Sequence, residues 1–317
     1  RPAPAELIRG LAVLAEPPTA EHPRIVESLD LGRPPTATEY SDLFLFQLYP
    51  YASVHLGPEG MMGGEARARV AGFWRALGYE PPAEPDHLAA LLGLYATLAE
   101  AEAATLTGPR VGPAPAVGGD PPEGAEAHRR LIGESRAALL YEHLAPWVFP
   151  FLGRVRHLGG GTVFRVAQIL LGVLRDEVKT ATSNGGLPDV LPLHLRLAPG
   201  LPDPREEGAA DFVAGLLAPV RSGFVLTRAD VARIASACDV GLRAGERRYA
   251  LEHLLAQDAP AVLQALAAEV VRQGALHVER TTWLGETAAF FARRAQDTAH
   301  LLGELAVEES AREGVSP

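Results

Sequence analysis

The sequence predicts an all-α protein, a multi-helix bundle with an additional C-terminal helical region. Three observations carry that prediction. Apolar residues recur at three- and four-residue spacing along most of the chain, the period that puts side chains on one helix face. Alanine and leucine are abundant while isoleucine and threonine are scarce, which favours helix over strand. Glycines (32) and prolines (27) are numerous, so many connections are stiff or sharply turned.

Taken in order, residues 4–15 and 22–30 read as short helices parted by Pro17-Pro18. A helix over 37–48 follows, with Thr36 or Thr38 as its cap and Leu43, Phe44, Phe46, Gln47 and Leu48 as a crowded stripe. Tyr49-Pro50-Tyr51 ends it. A Gly/Pro/Met segment, Leu56 to Gly64, leads into a helix at 65–78 carrying Val70, Phe73, Trp74 and Leu77. Pro81-Pro82-Ala83-Glu84-Pro85 is a stiff link into a helix at about 86–106, and 108–123 reads as a weakly structured loop. Helices resume at 124–142, 145–157 and 161–181. Residues 183–205, with Asn184-Gly185-Gly186 and several prolines, form a linker between a first domain (1–182) and a C-terminal extension (206–317). Within the linker, Leu191 to Leu197 alternates like a strand, but Pro192 and the lack of a partner argue against one. The extension reads as helices near 207–218, 228–238, 243–256, 259–273 and 280–307.

The chain has 317 residues and a formal charge of −10. That balance argues against broad nucleic-acid binding, which needs a basic face to displace counterions. Lys179 is the only lysine, so arginine carries nearly all positive charge. Cys238 is the only cysteine and excludes an intrachain disulfide or a multi-cysteine metal site. No apolar run is long enough to span a bilayer, and residues 1–30 lack a signal-peptide layout, so a cytoplasmic location is expected.

Enzyme signatures are mostly absent. Gly159-Gly160-Gly161-Thr162 opens a helix without the lysine of a phosphate-binding loop, and neither a zinc-binding histidine pair nor a nucleophile elbow occurs. One alternative function remains: 227–256 loosely resembles a helix-turn-helix, with Arg243, Arg247 and Arg248 available to phosphates of DNA. An ordinary helical hairpin explains the same residues.

The most informative stretch runs from Tyr40 to Trp147. It holds Tyr49-Pro50-Tyr51, a glycine-rich loop, Phe73-Trp74, Gly78-Tyr79, Glu84-Pro85-Asp86-His87-Leu88, and later His143-Leu144-Ala145-Pro146-Trp147. This order resembles the TorD/DmsD/NarJ family of redox-enzyme maturation chaperones, over roughly residues 40–180. In that family a Pro-Asp-His-Leu element opens a helix after a short aromatic helix ending in glycine, and a His-Leu-x-x-Trp segment follows later. The family element usually carries one residue between proline and aspartate, whereas here the two are contiguous. The region after about 205 extends past the usual family length.

The resemblance implies a non-enzymatic, cytoplasmic, cofactor-free helical chaperone, either a monomer or a homodimer. Its partner would be an immature molybdopterin oxidoreductase subunit or its twin-arginine signal peptide, with no nucleic acid and no membrane span. Such a peptide calls for carboxylates to receive its guanidinium forks and an apolar groove for the residues that follow. The candidate groove residues are Tyr49, Tyr51, Trp74, Tyr79, Glu84, Asp86, His87, His143 and Trp147. Each has a structural reading beside the binding one. Asp86 can cap the helix that follows it, His87 can bridge loop to bundle, and Trp147 can be core.

Overall fold

The computed structural model describes residues 4–107, 123–183, 185 and 190–313, so the expected loop at 108–123 lies almost wholly outside the described residues. Every regular element among them is helical, and the one strand-like feature is a single antiparallel bridge between Tyr51 and His87.

The first half begins with α1 (Ala5–Val13), α2 (His22–Ser28) and α3 (Ala37–Tyr40). Thr36 caps α3 through a reciprocal box with Glu39, which meets two of the helix's unpaired N–H groups. A π-helical turn over Ser41–Leu45 then replaces the long helix expected to residue 48. Its five-residue bonds, Phe46 N–H to Ser41 O and Leu48 N–H to Leu43 O, rotate the chain. Leu43, Phe44 and Leu48 are therefore buried while Phe46 is 48% exposed.

Next come α4 (Ala52–Leu56), α5 (Gly64–Ala76), α6 (Leu88–Thr107) and α7 (Glu123–Ala138). Helix α6 buries Leu91, Leu92, Leu94, Tyr95 and Leu98 and packs against α1 and α7. A second π-helical turn, Leu139–Leu144, joins α7 to α8 (Ala145–Leu158). Pro146 in the first turn of α8 has no N–H to give, so an unbroken α ladder cannot pass through it. Helix α8 is the axis of this half, with Trp147, Phe149 and Phe151 wholly buried, and it lies along α9 (Gly161–Ser183).

Leu193–Leu197 is a short helix, α10, rather than an extended segment. The second half comprises α11 (Ala209–Leu216), α12 (Pro219–Ser222), α13 (Arg228–Ala237), α14 (Arg247–Gln257), α15 (Ala259–Leu284) and α16 (Glu286–Glu313). The break expected near residue 274 is absent: α15 runs on to Leu284 and turns at Gly285, whose φ of +57° suits a residue without Cβ. Gly274 instead lets α16 come close, since a Cβ there would sit 3.1 Å from the Cβ of Ala295.

Two clusters of buried side chains result. One gathers residues of α1–α10 together with Val220, Val225, Phe290 and Phe291. The other gathers α11, α13, α14 and the remaining parts of α15 and α16 around Leu216, Ile234, Leu251, Leu266 and Leu302. The α15–α16 hairpin contributes to both. Arg154 on α8 joins the halves by bonding Asp230 of α13 and approaching Glu269 of α15 at 3.5 Å.

The helix-turn-helix alternative does not match this geometry. Residues 238–246 separate α13 from α14, longer than the three or four residues of that motif. The arginines are also engaged within the chain: Arg247 donates to Leu226 O, Arg243 to the Tyr249 hydroxyl and Arg248 to Glu252.

Candidate functional site

The loop 79–88 folds back over the start of α4. Leu88 N–H donates to Pro50 O at 2.8 Å and Ala52 N–H to Asp86 O at 2.9 Å, so 50–52 and 86–88 run antiparallel. This pairing positions the two candidate carboxylates, Glu84 and Asp86, differently. Asp86 points inward and is only 1% exposed. Its Oδ2 accepts from Ser53 N–H at 3.0 Å, in the first turn of α4, and Arg67 of α5 stands 4.0 Å from Oδ1.

Asp86 thus caps α4, a helix earlier in the chain, and not α6 as the order of residues suggested. The cap of α6 is His87, whose Nδ1 accepts from Ala89 N–H at 3.1 Å. That bond requires Nδ1 to be unprotonated, leaving the ring proton on Nε2. Burial holds the His87 pKa below its ordinary value, against the opposing pull of Glu84 and Asp86.

Glu84 points outward and is exposed. The Tyr51 hydroxyl donates to its Oε2 at 2.8 Å, and the Tyr51 ring meets His87 edge-on at 4.9 Å. Burial, reinforced by this bond to Glu84, raises the Tyr51 pKa, so the phenol stays protonated and donating. Trp74, on the last turns of α5, donates from Nε1 to Pro85 O at 3.3 Å. Its ring stands edge-on to Tyr79, which is 40% exposed. Arg67 Nη2 ties α5 to the same loop through Ala83 O at 2.7 Å. The outcome is a ledge with an exposed carboxylate and three aromatic rings, of which Tyr51 and Trp74 are fixed by side-chain hydrogen bonds and Tyr79 by its edge-on contact with Trp74.

The structure does not bring every expected residue to this ledge. Trp147 is 0% exposed, and its ring stacks on His55 of α4 at 5.1 Å. His143 is buried against Phe73 of α5 at 4.8 Å, and its carbonyl accepts from Trp147 Nε1. Both support α4 and α5 from below and offer no face to a ligand. Tyr49 contributes its carbonyl, which receives a bond from His55 Nε2 at 3.0 Å.

A group of buried histidines was not legible from spacing. Desolvation lowers His143 to about 3 and both His55 and His194 to about 4. His194, on α10, lies 6.0 Å from His143, and Arg69 of α5 approaches its Nδ1 at 3.4 Å. Among the described residues no group of three His, Cys, Asp or Glu side chains is placed to hold a metal ion. No helix there is long and apolar enough to cross a membrane.

Comparison with known proteins adds one finding: residues 14–153 match the family described as nitrate reductase delta subunit. That span contains the ledge and most of the helices that support it. No curated protein matches, and no solved structure matches.

Proposed function

Residues 14–153 belong to the nitrate reductase delta subunit family, whose members are non-catalytic assembly chaperones, and from that premise we propose that this protein is a chaperone for a molybdopterin oxidoreductase. It binds an N-terminal, arginine-bearing segment of the immature catalytic subunit, a twin-arginine signal peptide where the client has one, until the cofactor is inserted. The observation that carries this reading is the ledge at 79–88. Glu84 presents a carboxylate beside Tyr51, Trp74 and Tyr79, a combination suited to a guanidinium followed by apolar residues.

Within this proposal the residues divide by depth. Glu84, Tyr51, Trp74 and Tyr79 meet the peptide. Asp86, His87, Tyr49, His143 and Trp147 hold the ledge in place by capping, stacking and backbone bonds. The chain's charge of −10 speeds encounter with a basic peptide without specifying where it lands.

Calorimetric titration of the full chain with a twin-arginine signal peptide tests the reading, alongside an Arg-Arg→Lys-Lys peptide and a Glu84→Gln variant. Glu84→Gln should weaken binding about ten-fold, the loss of one charge-assisted contact of ~1.5 kcal/mol. Lysine substitution in the peptide should weaken it as well, because a point charge cannot make the bidentate bond. If all three combinations bind equally, the ledge is not the peptide site.

A further inference from the structure

A second site of opposite charge lies on the seam between α8, α9 and α15. A cavity of about 340 Å³ opens there, lined by Arg154, Arg156, Arg272 and Arg280 with Phe164 and Leu276 as apolar walls. So much positive charge in one cavity is unexpected in a chain of net charge −10.

The charges are only partly neutralised. Asp230 and Glu269 are shared among Arg154, Arg233 and Arg272, so three guanidinium groups face two carboxylates. Arg156 and Arg280 make no ion pair or hydrogen bond with any described residue, and the carboxylate that acts on Arg280 is that of its chain neighbour Glu279. Burial, with Arg156 adding repulsion, pulls Arg280 down to about 10. His157 and His277 also line the cavity; His277 is spoken for by its bond to Gly223 O.

The cavity is built rather than incidental. Arg154 is 4% exposed; its Nη2 bonds Asp230 and its Nη1 faces Glu269 at 3.5 Å, while Nε is buried without a hydrogen-bond partner. Buried guanidinium N–H groups are rarely left so, since each costs on the order of 1–3 kcal/mol. Arg156 is fixed over the Phe164 ring at 5.6 Å. Arg280 lies across Gly153, where a Cβ would meet its Nη2 at 3.0 Å, so a residue with a side chain would displace it.

We propose that this cavity binds the phosphoryl group of a small phosphate monoester. Arg156 and Arg280 receive the terminal oxygens, Arg154 completes the floor, and Phe164 and Leu276 cover the organic part. A phosphoryl dianion offers three terminal oxygens and two charges to the Arg156 and Arg280 guanidinium groups, whereas a carboxylate offers two oxygens and half the charge. The volume exceeds what inorganic phosphate fills and sits at the small end of ligand pockets.

The test is calorimetric titration of the full chain at constant ionic strength with phenyl phosphate, inorganic phosphate and benzoate. Phenyl phosphate should bind most tightly, and the Arg156→Gln/Arg280→Gln double variant should lose about ten-fold or more in affinity. The unliganded double variant should melt no lower than the parent, because two repelling charges have been removed. If it fails to fold, the exposed Arg156→Gln alone should still weaken binding several-fold. Absence of phenyl phosphate binding at millimolar concentration, equal binding by the variants, or benzoate binding as tightly would each overturn the proposal. Binding of an acidic peptide in place of both phosphates would also overturn it and assign the cavity to a protein partner.

Discussion

Four buried histidines make this fold sensitive to mild acid. His55, His194 and His277 are held at about 4 and His143 at about 3, in each case chiefly by desolvation of the charged ring. The unfolded chain returns each to about 6.5. Between these values the unfolded state binds more protons than the folded one, so stability falls as pH drops through 6.5 and levels off below the folded values. From pH 7 to 5.5 each ring contributes a loss on the order of 1 kcal/mol, and the four together roughly 4–5 kcal/mol. That is comparable with the whole stability of many domains, about 5–15 kcal/mol. Carboxylates of ordinary pKa scarcely titrate in this window, so the effect is separable from general acid denaturation. Urea unfolding at pH 7.0, 6.0 and 5.5 measures it. His143→Phe should remove about a quarter of the slope, since the ring already packs on Phe73. A change below about 1 kcal/mol over the whole window, or a slope unaltered by His143→Phe, would refute the argument.

Other perturbations follow from single contacts. Asp86→Ala strands the Ser53 N–H beneath the ledge and should cost about 1–3 kcal/mol in urea unfolding. Asp86→Asn keeps an acceptor and should cost less, so peptide titration of the asparagine variant separates folding from binding. Gly223→Ala should lower stability by more than the ~1–3 kcal/mol of its left-handed backbone, because φ is +75° and a Cβ would lie 2.3 Å from Ala295 N. Thermal melts followed by circular dichroism check this. Arg154→Met should cost about 3 kcal/mol by leaving buried carboxylates short of a partner, read by the same melts.

The helical class, most helix positions and a cap at Thr36 or Thr38 were legible because they depend on local pattern, and the structure selects Thr36. The two π-helical turns were not legible, since periodicity does not register one extra residue per turn. The helix expected over 259–273 continues through Gly274, which is a packing contact with α16. In the candidate site, Glu84, Tyr51, Trp74 and Tyr79 converge as their order suggested. Asp86 could be recognised as a cap, but its partner lies 33 residues earlier in the chain, on Ser53. The sequence neighbourhood of Asp86 holds no sign of that pairing. Nor does spacing reveal that Trp147 lies beneath α4 and not beside the loop.

Phe290 and Phe291 sit in the same buried cluster as Ile8 and Leu11. A ribosome must therefore synthesise the chain as far as residue 291 before the N-terminal bundle can close its core. Until α16 emerges, the surface of α8 that it packs on stays open to water, and closing so long a loop is slow. The C-terminal hairpin is in this sense the last piece of the N-terminal half. Truncation near residue 205 would yield an incomplete bundle with a sticky face, prone to self-association, and not a smaller folded unit.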